Sequence, residues 1–202
     1  MDKAGLLIII SAPSGSGKTT MCNKLASILP SVCRSISTTT RPPRRGEKNG
    51  RDYIFLSREE FEAEKKQAAF LEWAKVFGHY YGTPRKLVEE ARDKGRDIIL
   101  SIDVQGAQQV KQNYPEAVFI FICPPSRKIL EERLRNRRSD REEEISRRLR
   151  LAKVEMSQAG NYDYVIVNRN LKDSLHKLSA IIIAEKAKIK RMKGKINGLC
   201  FN

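Results

Sequence analysis

The 202-residue sequence predicts an α/β fold in which a parallel sheet lies between layers of helices. Residues 6–10 form an apolar run without polar alternation, which is typical of a strand buried on both faces. Similar runs follow at residues 97–103, 117–122 and 164–167, and segments with helical periodicity separate them. Alternating strands and helices indicate parallel strands that are connected through helices. We therefore expect one α/β core with smaller inserted units.

The first strand leads into a turn rich in glycine and serine, and a helix that ends before Pro30 follows. Gly17, Lys18 and Thr19 fit the pattern G-x-x-x-x-G-K-[ST], although Ala12 stands at the first glycine. Strand, loop and helix in this order predict a P-loop NTPase fold. The expected phosphate-binding residues are Ala12, Pro13, Ser14, Gly15, Ser16, Gly17, Lys18, Thr19 and Thr20. The alternative is a glycine-rich loop in which Lys-Thr occurs by chance.

Three residues suit a metal–nucleotide site. By the P-loop pattern, Lys18 reaches the β- and γ-phosphates and the Thr19 hydroxyl binds Mg²⁺. Asp103 lies at the carboxyl end of the second predicted core strand, where open α/β sheets bind their ligands. Asp103 is therefore a candidate Walker-B-like carboxylate that holds Mg²⁺ through water. Alternatively it caps the next helix, and the two roles can coexist.

The composition indicates a basic protein without a membrane-spanning segment. Lys and Arg number 39 against 24 Asp and Glu, which gives a formal net charge of +15 that attracts polyanions. Much of the excess lies at residues 127–150, where acidic residues are interleaved as on a solvated helical face, and at 186–195. The sequence has no apolar run of about 18 residues and no cleavable signal pattern. We expect a cytoplasmic protein with reduced, scattered cysteines.

Residues 34–84 resemble a small mixed sheet inserted between core elements. Short strand patterns flank a loop at residues 42–50 that prolines and glycines keep out of regular structure. Ser57 and Glu60 form a capping box for a helix that runs to about residue 67. Thr83, followed by a proline, is expected to cap the next helix.

Residues 126–156 are predicted to form a hairpin of two arginine-rich helices. Ser126 caps the first helix, and a short polar turn leads to the second. The two helices have little apolar surface of their own in the sequence pattern. A weakly anchored hairpin of this kind suits a lid that moves.

The motifs along the chain resemble those of the guanylate kinase family, whose members transfer phosphate from ATP to GMP. The run from Ser37 to Tyr53 and the P-loop carry the resemblance together with shorter motifs. These are Glu72-Trp73, Tyr80-Tyr81-Gly82-Thr83, Ile102-Asp103-Val104-Gln105-Gly106, Pro124-Pro125-Ser126 and Val165-Ile166-Val167-Asn168. The resemblance implies a core domain at residues 1–33, 85–125 and 157–202, a GMP-binding subdomain at 34–84 and a lid at 126–156.

The resemblance implies a phosphate site for GMP in the inserted sheet. Arg41 and Arg44 would offer forked donors to the phosphate of GMP. The hydroxyls of Tyr53 and Tyr81 can donate to its remaining oxygens. The alternative for the two arginines is a solvated basic loop.

The resemblance implies that Glu72 selects guanine. Its carboxylate matches the two adjacent donors of guanine, N1–H and the exocyclic amine, whereas adenine presents an unprotonated N1. The wrong base would leave a buried charge unpaired, so such a site discriminates strongly. Ser37 and Thr83 resemble the family's hydroxyl contacts to guanine, with a strand serine and a helix cap as the alternatives.

The implied reaction needs positioning and charge neutralisation and no general base, since the attacking phosphate oxygen of GMP is already ionised. The residues expected in this role are Lys18, Arg41, Arg133, Arg137 and Arg148, of which the last three resemble the family's lid arginines. Asn168 is implied to lie near the adenine. The family commonly has Asp-Ile-Asp where this chain has Ser101-Ile102-Asp103, so the role of the first Asp is not transferred to Ser101.

These residues lead to the hypothesis of a Mg²⁺-dependent kinase that acts on ATP and on GMP or dGMP, as a monomer or homodimer. We expect no membrane partner and no specific nucleic acid. Two alternatives belong to other classes. One is a catalytically silent guanylate-kinase-like domain that binds proteins, although the intact P-loop argues against it. The other is nucleic-acid binding by charge alone.

Overall fold

The computed structural model describes residues 4–136 and 142–192. Its strands are β1 (Leu7–Ser11), β2 (Val32–Arg34), β3 (Thr38–Thr39), β4 (Ile54–Phe55), β5 (Phe70–Val76), β6 (His79–Pro84), β7 (Asp97–Ser101), β8 (Val118–Cys123) and β9 (Tyr164–Val167). Its α-helices are α1 (Lys18–Ile28), α2 (Arg58–Lys66), α3 (Arg85–Asp93), α4 (Val104–Asn113), α5 (Arg127–Arg135), α6 (Glu142–Ser157) and α7 (Leu171–Ala187). Arg137 and the end of the basic tail lie outside the described residues.

The core is a five-stranded parallel sheet with the strand order β2-β7-β1-β8-β9. Every residue of β1 is buried, because its alternate side chains enter apolar clusters on opposite faces of the sheet. Helices α1 and α7 cover one face, and α3 and α4 cover the other. The predicted fold class, a parallel sheet between helices, is therefore confirmed.

The second sheet is a mixed one with the order β4-β3-β6-β5. Its β3–β4 pair is parallel, whereas β6 runs antiparallel to both β3 and β5. Gln109 of α4 fastens this sheet to the core: its Nε2 donates to the Trp73 carbonyl at 2.7 Å and its Oε1 accepts from the Trp73 amide at 3.2 Å. The mixed sheet thus packs against α4, the helix that follows β7.

Helix starts follow the sequence except at α3. The capping box of Ser57 and Glu60 is present, and the Ser126 hydroxyl accepts from the Ile129 amide. The prediction that Thr83 caps α3 is wrong, because β6 continues to Pro84 and the helix begins at Arg85 without a side-chain cap. The Thr83 hydroxyl donates to a carboxylate instead.

The helical hairpin of α5 and α6 has a core of its own. Leu130, Leu134, Ile145 and Ala152 form a buried cluster, against which Leu149 packs. The expectation of little apolar surface is wrong, because leucines spaced by four residues and an Ile–Ala pair spaced by seven place their side chains on the facing sides of the helices.

Two general properties complete the fold. No helix in the described part of the chain is long and apolar enough to span a bilayer. Cys22, Cys33 and Cys123 are free thiols, and Cys200 lies outside the described residues.

Candidate active site

The loop between β1 and α1 has the backbone that phosphate binding requires. Gly15 and Gly17 have φ values of +92° and +91°, a left-handed conformation that side chains disfavour. Gly17 is the N-cap of α1, and no side chain caps this helix. The first N–H groups of α1 therefore have no side-chain acceptor and can bind an anion together with the helix dipole.

A pocket lies over this loop. It is lined by Ala12, Pro13, Ser14, Gly15, Gly17, Lys18, Thr19, Thr20, Val76, Phe77, Asp103, Leu151 and Glu155. We call it the phosphate pocket. All of the loop residues expected from sequence line it except Ser16, which is fully buried.

Asn168 braces the phosphate loop from behind. It is 5% exposed, its Nδ2 donates to the Ser16 carbonyl at 2.8 Å, and its Oδ1 accepts from the Ser174 hydroxyl at 3.0 Å. A Cβ at Gly17 would lie 2.8 Å from the same Nδ2. The sequence reasoning did not anticipate this brace, and the implied contact of Asn168 with adenine stays a prediction.

Lys18 lies between the phosphate pocket and a second pocket, and lines both. Its Nζ donates to the Ile102 carbonyl at 2.6 Å. Burial lowers the pKa of Lys18, and the negative charges of Asp103, Glu155 and Glu72 raise it in part.

The second pocket lies between the core and the mixed sheet. It is lined by Lys18, Ser37, Tyr53, Glu72, Ala74, Val76, Tyr81, Gly82, Ser101, Ile102 and Asp103. We call it the acceptor pocket. Four of the residues expected to bind GMP thus come together beside Lys18, namely Ser37, Tyr53, Glu72 and Tyr81.

Glu72 is the buried acid of the acceptor pocket, with 5% exposure. The hydroxyl of Thr83, itself fully buried, donates to Glu72 Oε1 at 2.5 Å. Burial raises the pKa of Glu72 to about 7, the Thr83 hydrogen bond opposes this rise, and the charge of Asp103 adds to it. The carboxylate is therefore oriented, and it retains acceptor capacity for further donors.

Gly106 gives the Glu72 carboxylate its space. A Cβ at this position would lie 2.2 Å from Glu72 Oε2. No role was assigned to Gly106 from sequence, although a glycine in the first turn of α4, where it weakens the helix, is a usable signal.

Asp103 lines both pockets and caps α4. Its Oδ1 accepts from the Gly106 amide at 2.8 Å, which confirms the capping alternative. The role of Asp103 toward a metal stays a prediction.

Glu47 organises the basic loop that carries Arg41 and Arg44. Both Glu47 oxygens accept from Arg41 Nη2 at 2.9 Å, and Oε2 also accepts from the Arg44 amide at 2.7 Å. The Arg41 guanidinium lies 5.4 Å from the centre of the Tyr53 ring at the edge of the acceptor pocket, whereas Arg44 is exposed. Neither arginine lines the acceptor pocket, and sequence reasoning assigned no role to Glu47.

The helical hairpin approaches the phosphate loop through polar and apolar contacts. Arg148 Nη1 donates to the Ser14 hydroxyl at 3.4 Å, and Arg133 Nη2 donates to the Asn168 carbonyl at 3.0 Å. A Cβ at Gly15 would lie 3.0 to 3.2 Å from side-chain carbons of Leu130 and Leu134 in α5. The hairpin therefore packs on the loop itself.

Phe77 links the mixed sheet to α6. It occupies the turn between β5 and β6 with a φ of +50°, which is unusual for a bulky residue. The guanidinium carbons of Arg147 and Arg148 each lie 5.2 Å from the centre of its ring. Phe77 also lines the phosphate pocket, so the mixed sheet and α6 meet beside this pocket.

The phosphate pocket suits a metal that arrives with a nucleotide. Within residues 4–136 and 142–192, no group of three or more His, Cys, Asp or Glu side chains is arranged to hold a metal ion alone. The pocket nevertheless presents the Thr19 hydroxyl and the carboxylates of Asp103 and Glu155. Mg²⁺ commonly takes one or two carboxylates together with phosphate oxygens and keeps several waters, which fits this donor set.

Comparisons with known proteins agree on one family. The family model described as guanylate kinase matches residues 4–185. The chain is 48% identical over 192 residues to a guanylate kinase of Carboxydothermus hydrogenoformans, covering 95% of this chain and 94% of the relative. It is 49% identical over 187 residues to one of Desulfitobacterium hafniense, covering 93% and 94%. The crystal structure of guanylate kinase from Anaplasma phagocytophilum superposes with a TM-score of 0.80 at 38% identity, covering 94% of this chain and 90% of that one.

Proposed function

Because this chain belongs to the guanylate kinase family, we propose that the two pockets beside Lys18 are the donor and acceptor sites of its reaction. The chain is an ATP:GMP phosphotransferase, which converts ATP and GMP to ADP and GDP. The observation that carries the assignment of the pockets is the position of Lys18, which lines both the phosphate pocket and the pocket of the buried Glu72.

The phosphate pocket binds the triphosphate of ATP. The backbone amides at Gly15, Gly17 and the start of α1 receive the phosphates, and Lys18 neutralises the charge between donor and acceptor. This part of the site recognises phosphate and not the base. The adenine is expected near Asn168, beyond the loop that Asn168 braces.

The acceptor pocket binds GMP. Glu72 accepts from N1–H and the exocyclic amine of guanine, while Thr83 holds the carboxylate and Ser37 offers a further hydroxyl. Tyr53 and Tyr81 donate to the phosphate of GMP. Arg41 and Arg44 supply cationic donors to the same phosphate, for which Arg41 must turn from Glu47.

The transfer proceeds by positioning and charge stabilisation. Lys18, which lines both pockets, would stabilise the charge that moves from one phosphate group to the other, and Arg133 and Arg148 of the helical hairpin would add positive charge. Arg137, which lies outside the described residues, is expected to act with them. Arg148 already contacts Ser14 of the loop, so a small movement of α6 would bring its guanidinium to a bound phosphate. Closure of the hairpin would also exclude water from the site.

Mg²⁺ bound with ATP would neutralise phosphate charge and orient the oxygens for in-line transfer. The residues that would hold it are Thr19 through its hydroxyl and Asp103 through water. Three further predictions rest on the sequence alone. They are a cytoplasmic location, a monomeric or homodimeric assembly, and the absence of a specific nucleic-acid partner.

An ADP-release assay with ATP, Mg²⁺ and each of GMP, dGMP, AMP, UMP and CMP tests this assignment. We expect turnover with GMP, slower turnover with dGMP and negligible turnover with AMP. Turnover with AMP equal to that with GMP would contradict the role of Glu72. Absence of turnover with every nucleotide would favour a catalytically silent domain.

A further inference from the structure

Glu155 is a buried acid of the phosphate pocket that the mechanism above does not use. It extends from α6, is 8% exposed, and lines the pocket together with Lys18, Thr19 and Asp103. In the sequence it lies among the charged residues of an arginine-rich helix, where a solvated face is the ordinary expectation. The structure turns this acid inward, toward the phosphate loop.

The Glu155 carboxylate is incompletely paired. Its Oε2 atom is buried and has no hydrogen-bond partner among the described residues. Burial raises the pKa of Glu155 to about 7, while the charge of Lys18 lowers it, the charge of Asp103 raises it, and the Ser14 amide lowers it. A buried carboxylate oxygen without a partner carries a desolvation penalty that an apolar side chain would avoid.

Packing alone does not explain a carboxylate at this position. Ile145, Ala152 and Glu155 are the buried residues of α6, and a leucine or methionine would extend this face without burying a charge. The charge of Glu155 would also repel a bound triphosphate, because the carboxylates of Asp103 and Glu155 both line the phosphate pocket. A cation between the carboxylates and the phosphates would remove this repulsion.

We propose that Glu155 is a positioning residue for the divalent cation of the bound nucleotide and accepts a hydrogen bond from a water of that cation's hydration shell. The proposal rests on the assignment of the phosphate pocket to Mg²⁺-ATP. Asp103 has one oxygen engaged by the Gly106 amide, so Glu155 supplies the second carboxylate that a largely hydrated Mg²⁺ can use. Substitution of a residue that hydrogen-bonds to a ligand of a metal typically lowers the affinity for that metal by about 10- to 100-fold.

The position of Glu155 in α6 connects the cation with the lid. Arg148, which contacts the phosphate loop, lies two turns earlier in the same helix. A cation that engages Glu155 therefore favours the arrangement of α6 in which Arg148 faces the phosphates. ATP without a metal cannot make this interaction with Glu155 of α6.

The variant Glu155→Gln tests the proposal through the metal dependence of ATP binding. The dissociation constant of ATP is measured by calorimetry in excess Mg²⁺ and again in excess EDTA, and Mn²⁺ binding to the enzyme–ATP complex is followed by electron paramagnetic resonance. We expect Mg²⁺-ATP and Mn²⁺ to bind about tenfold more weakly than to the unsubstituted protein. ATP in EDTA should bind equally well or more tightly, because a negative charge is lost beside the phosphates.

The exposed Glu143 on the same helix provides the control, since Glu143→Gln makes the same change in charge outside the pocket. It should leave all three affinities within twofold. If Glu155→Gln does not fold, as judged by circular dichroism, Glu155→Met fills the position without charge and undergoes the same measurements.

Two outcomes would overturn the proposal. Equal weakening in Mg²⁺ and in EDTA would mean that Glu155 supports ATP binding without acting through the cation. Unchanged affinities in both conditions would mean that Glu155 has only a structural role. Either result leaves the proposed reaction intact, because turnover of ATP and GMP by the unsubstituted protein tests that separately.

Discussion

The acceptor pocket and the phosphate pocket each contain one deeply buried carboxylate, and the two are held in opposite ways. Glu72 has a hydroxyl partner in Thr83 and a matching space at Gly106, so groups of the protein itself orient its carboxylate. Glu155 has an oxygen without a partner in the described part of the chain. Burial raises the pKa of both to about 7. The difference favours a ligand with hydrogen-bond donors, such as the guanine base, in the acceptor pocket. It favours a ligand that binds together with a cation in the phosphate pocket.

The largest expected effect tests whether Glu72 serves only the acceptor pocket. Glu72→Gln replaces one acceptor oxygen by an amide donor that faces the donors of guanine. We expect kcat/KM for GMP to fall roughly 10³-fold or more, since a site built on hydrogen bonds loses heavily when one is mismatched. The dissociation constant of ATP should stay within twofold. Both quantities can be measured by ADP release and calorimetry.

Glu59→Gln is the control for this variant, because Glu59 is an exposed acid of α2 in the same inserted unit. It should leave kcat/KM for GMP unchanged. A loss of ATP affinity in Glu72→Gln comparable to its loss of GMP use would mean that the two pockets are not independent.

The second-largest expected effect tests whether Glu72 needs the space that Gly106 leaves for its carboxylate. Gly106→Ala would place a Cβ 2.2 Å from Glu72 Oε2, so the carboxylate must shift. We expect KM for GMP to rise about 10- to 100-fold, as displacements of about 1 Å in a positioned group do, with little change in ATP affinity. Gly160→Ala is the matched control, since a Cβ there meets nothing within 4 Å. An unchanged KM would show that Glu72 does not need its present position.

The pH dependence of GMP binding tests the charge of Glu72. Only the ionised carboxylate accepts from both guanine donors, and with a pKa of about 7 it is mostly protonated at pH 6 and mostly ionised at pH 8. GMP should therefore bind about tenfold more tightly at pH 8 than at pH 6 on account of this group. The pH dependence of GMP binding to Glu72→Gln, measured at higher GMP concentrations, gives the part of the effect that comes from titration of the GMP phosphate.

The same group affects the stability of the free protein with the opposite sign. The pKa of Glu72 in the folded protein, about 7, lies above its ordinary value of 4.5, so the folded state binds the proton more tightly. Its contribution to the free energy of unfolding is full below pH 4.5 and is lost as the pH rises through 7. Thermal unfolding of Glu72→Gln should thus occur at a higher temperature than that of the unsubstituted protein at pH 8, and the gap should close at pH 5.

The smallest effect concerns the loop that carries Arg41 and Arg44, the residues proposed to bind the GMP phosphate. Glu47→Gln weakens the paired hydrogen bonds to Arg41, whose side chain is 11% exposed. Because Glu47 both orders the loop and competes for Arg41, we expect a change in KM for GMP of about two- to fivefold, in line with about 0.5–1 kcal/mol for a partly buried ion pair. Steady-state kinetics with GMP as the varied substrate measure it. A change above about 50-fold would mean that Glu47 contacts the substrate itself.

The sequence was sufficient for the features that depend on local pattern. The strand, glycine turn and helix around Lys18 lie within about twenty residues, and the family motif Glu72-Trp73 indicated Glu72, whose role the chemistry of guanine then explains. Long-range contacts could not be predicted in this way. The bond between Asn168 and Ser16 joins residues 152 positions apart, and Gly106 meets Glu72 only after α4 packs against β5.

The sequence misled where one residue suits two patterns. Thr83 before a proline has the pattern of a helix cap, but strand pairing extends through Pro84 and directs the hydroxyl to Glu72. Glu155 lies beyond the charged stretch at residues 127–150 and was assigned no role from sequence, and only the tertiary structure brings it to the phosphate pocket.

The brace between Asn168 and the phosphate loop has a consequence for synthesis of the protein. The loop leaves the ribosome long before Asn168, because the two are 152 positions apart in the chain. A nascent chain that has not yet reached Asn168 therefore contains the complete loop sequence without the contact that supports its backbone. Tight nucleotide binding should begin only after Asn168 has emerged and paired with the loop.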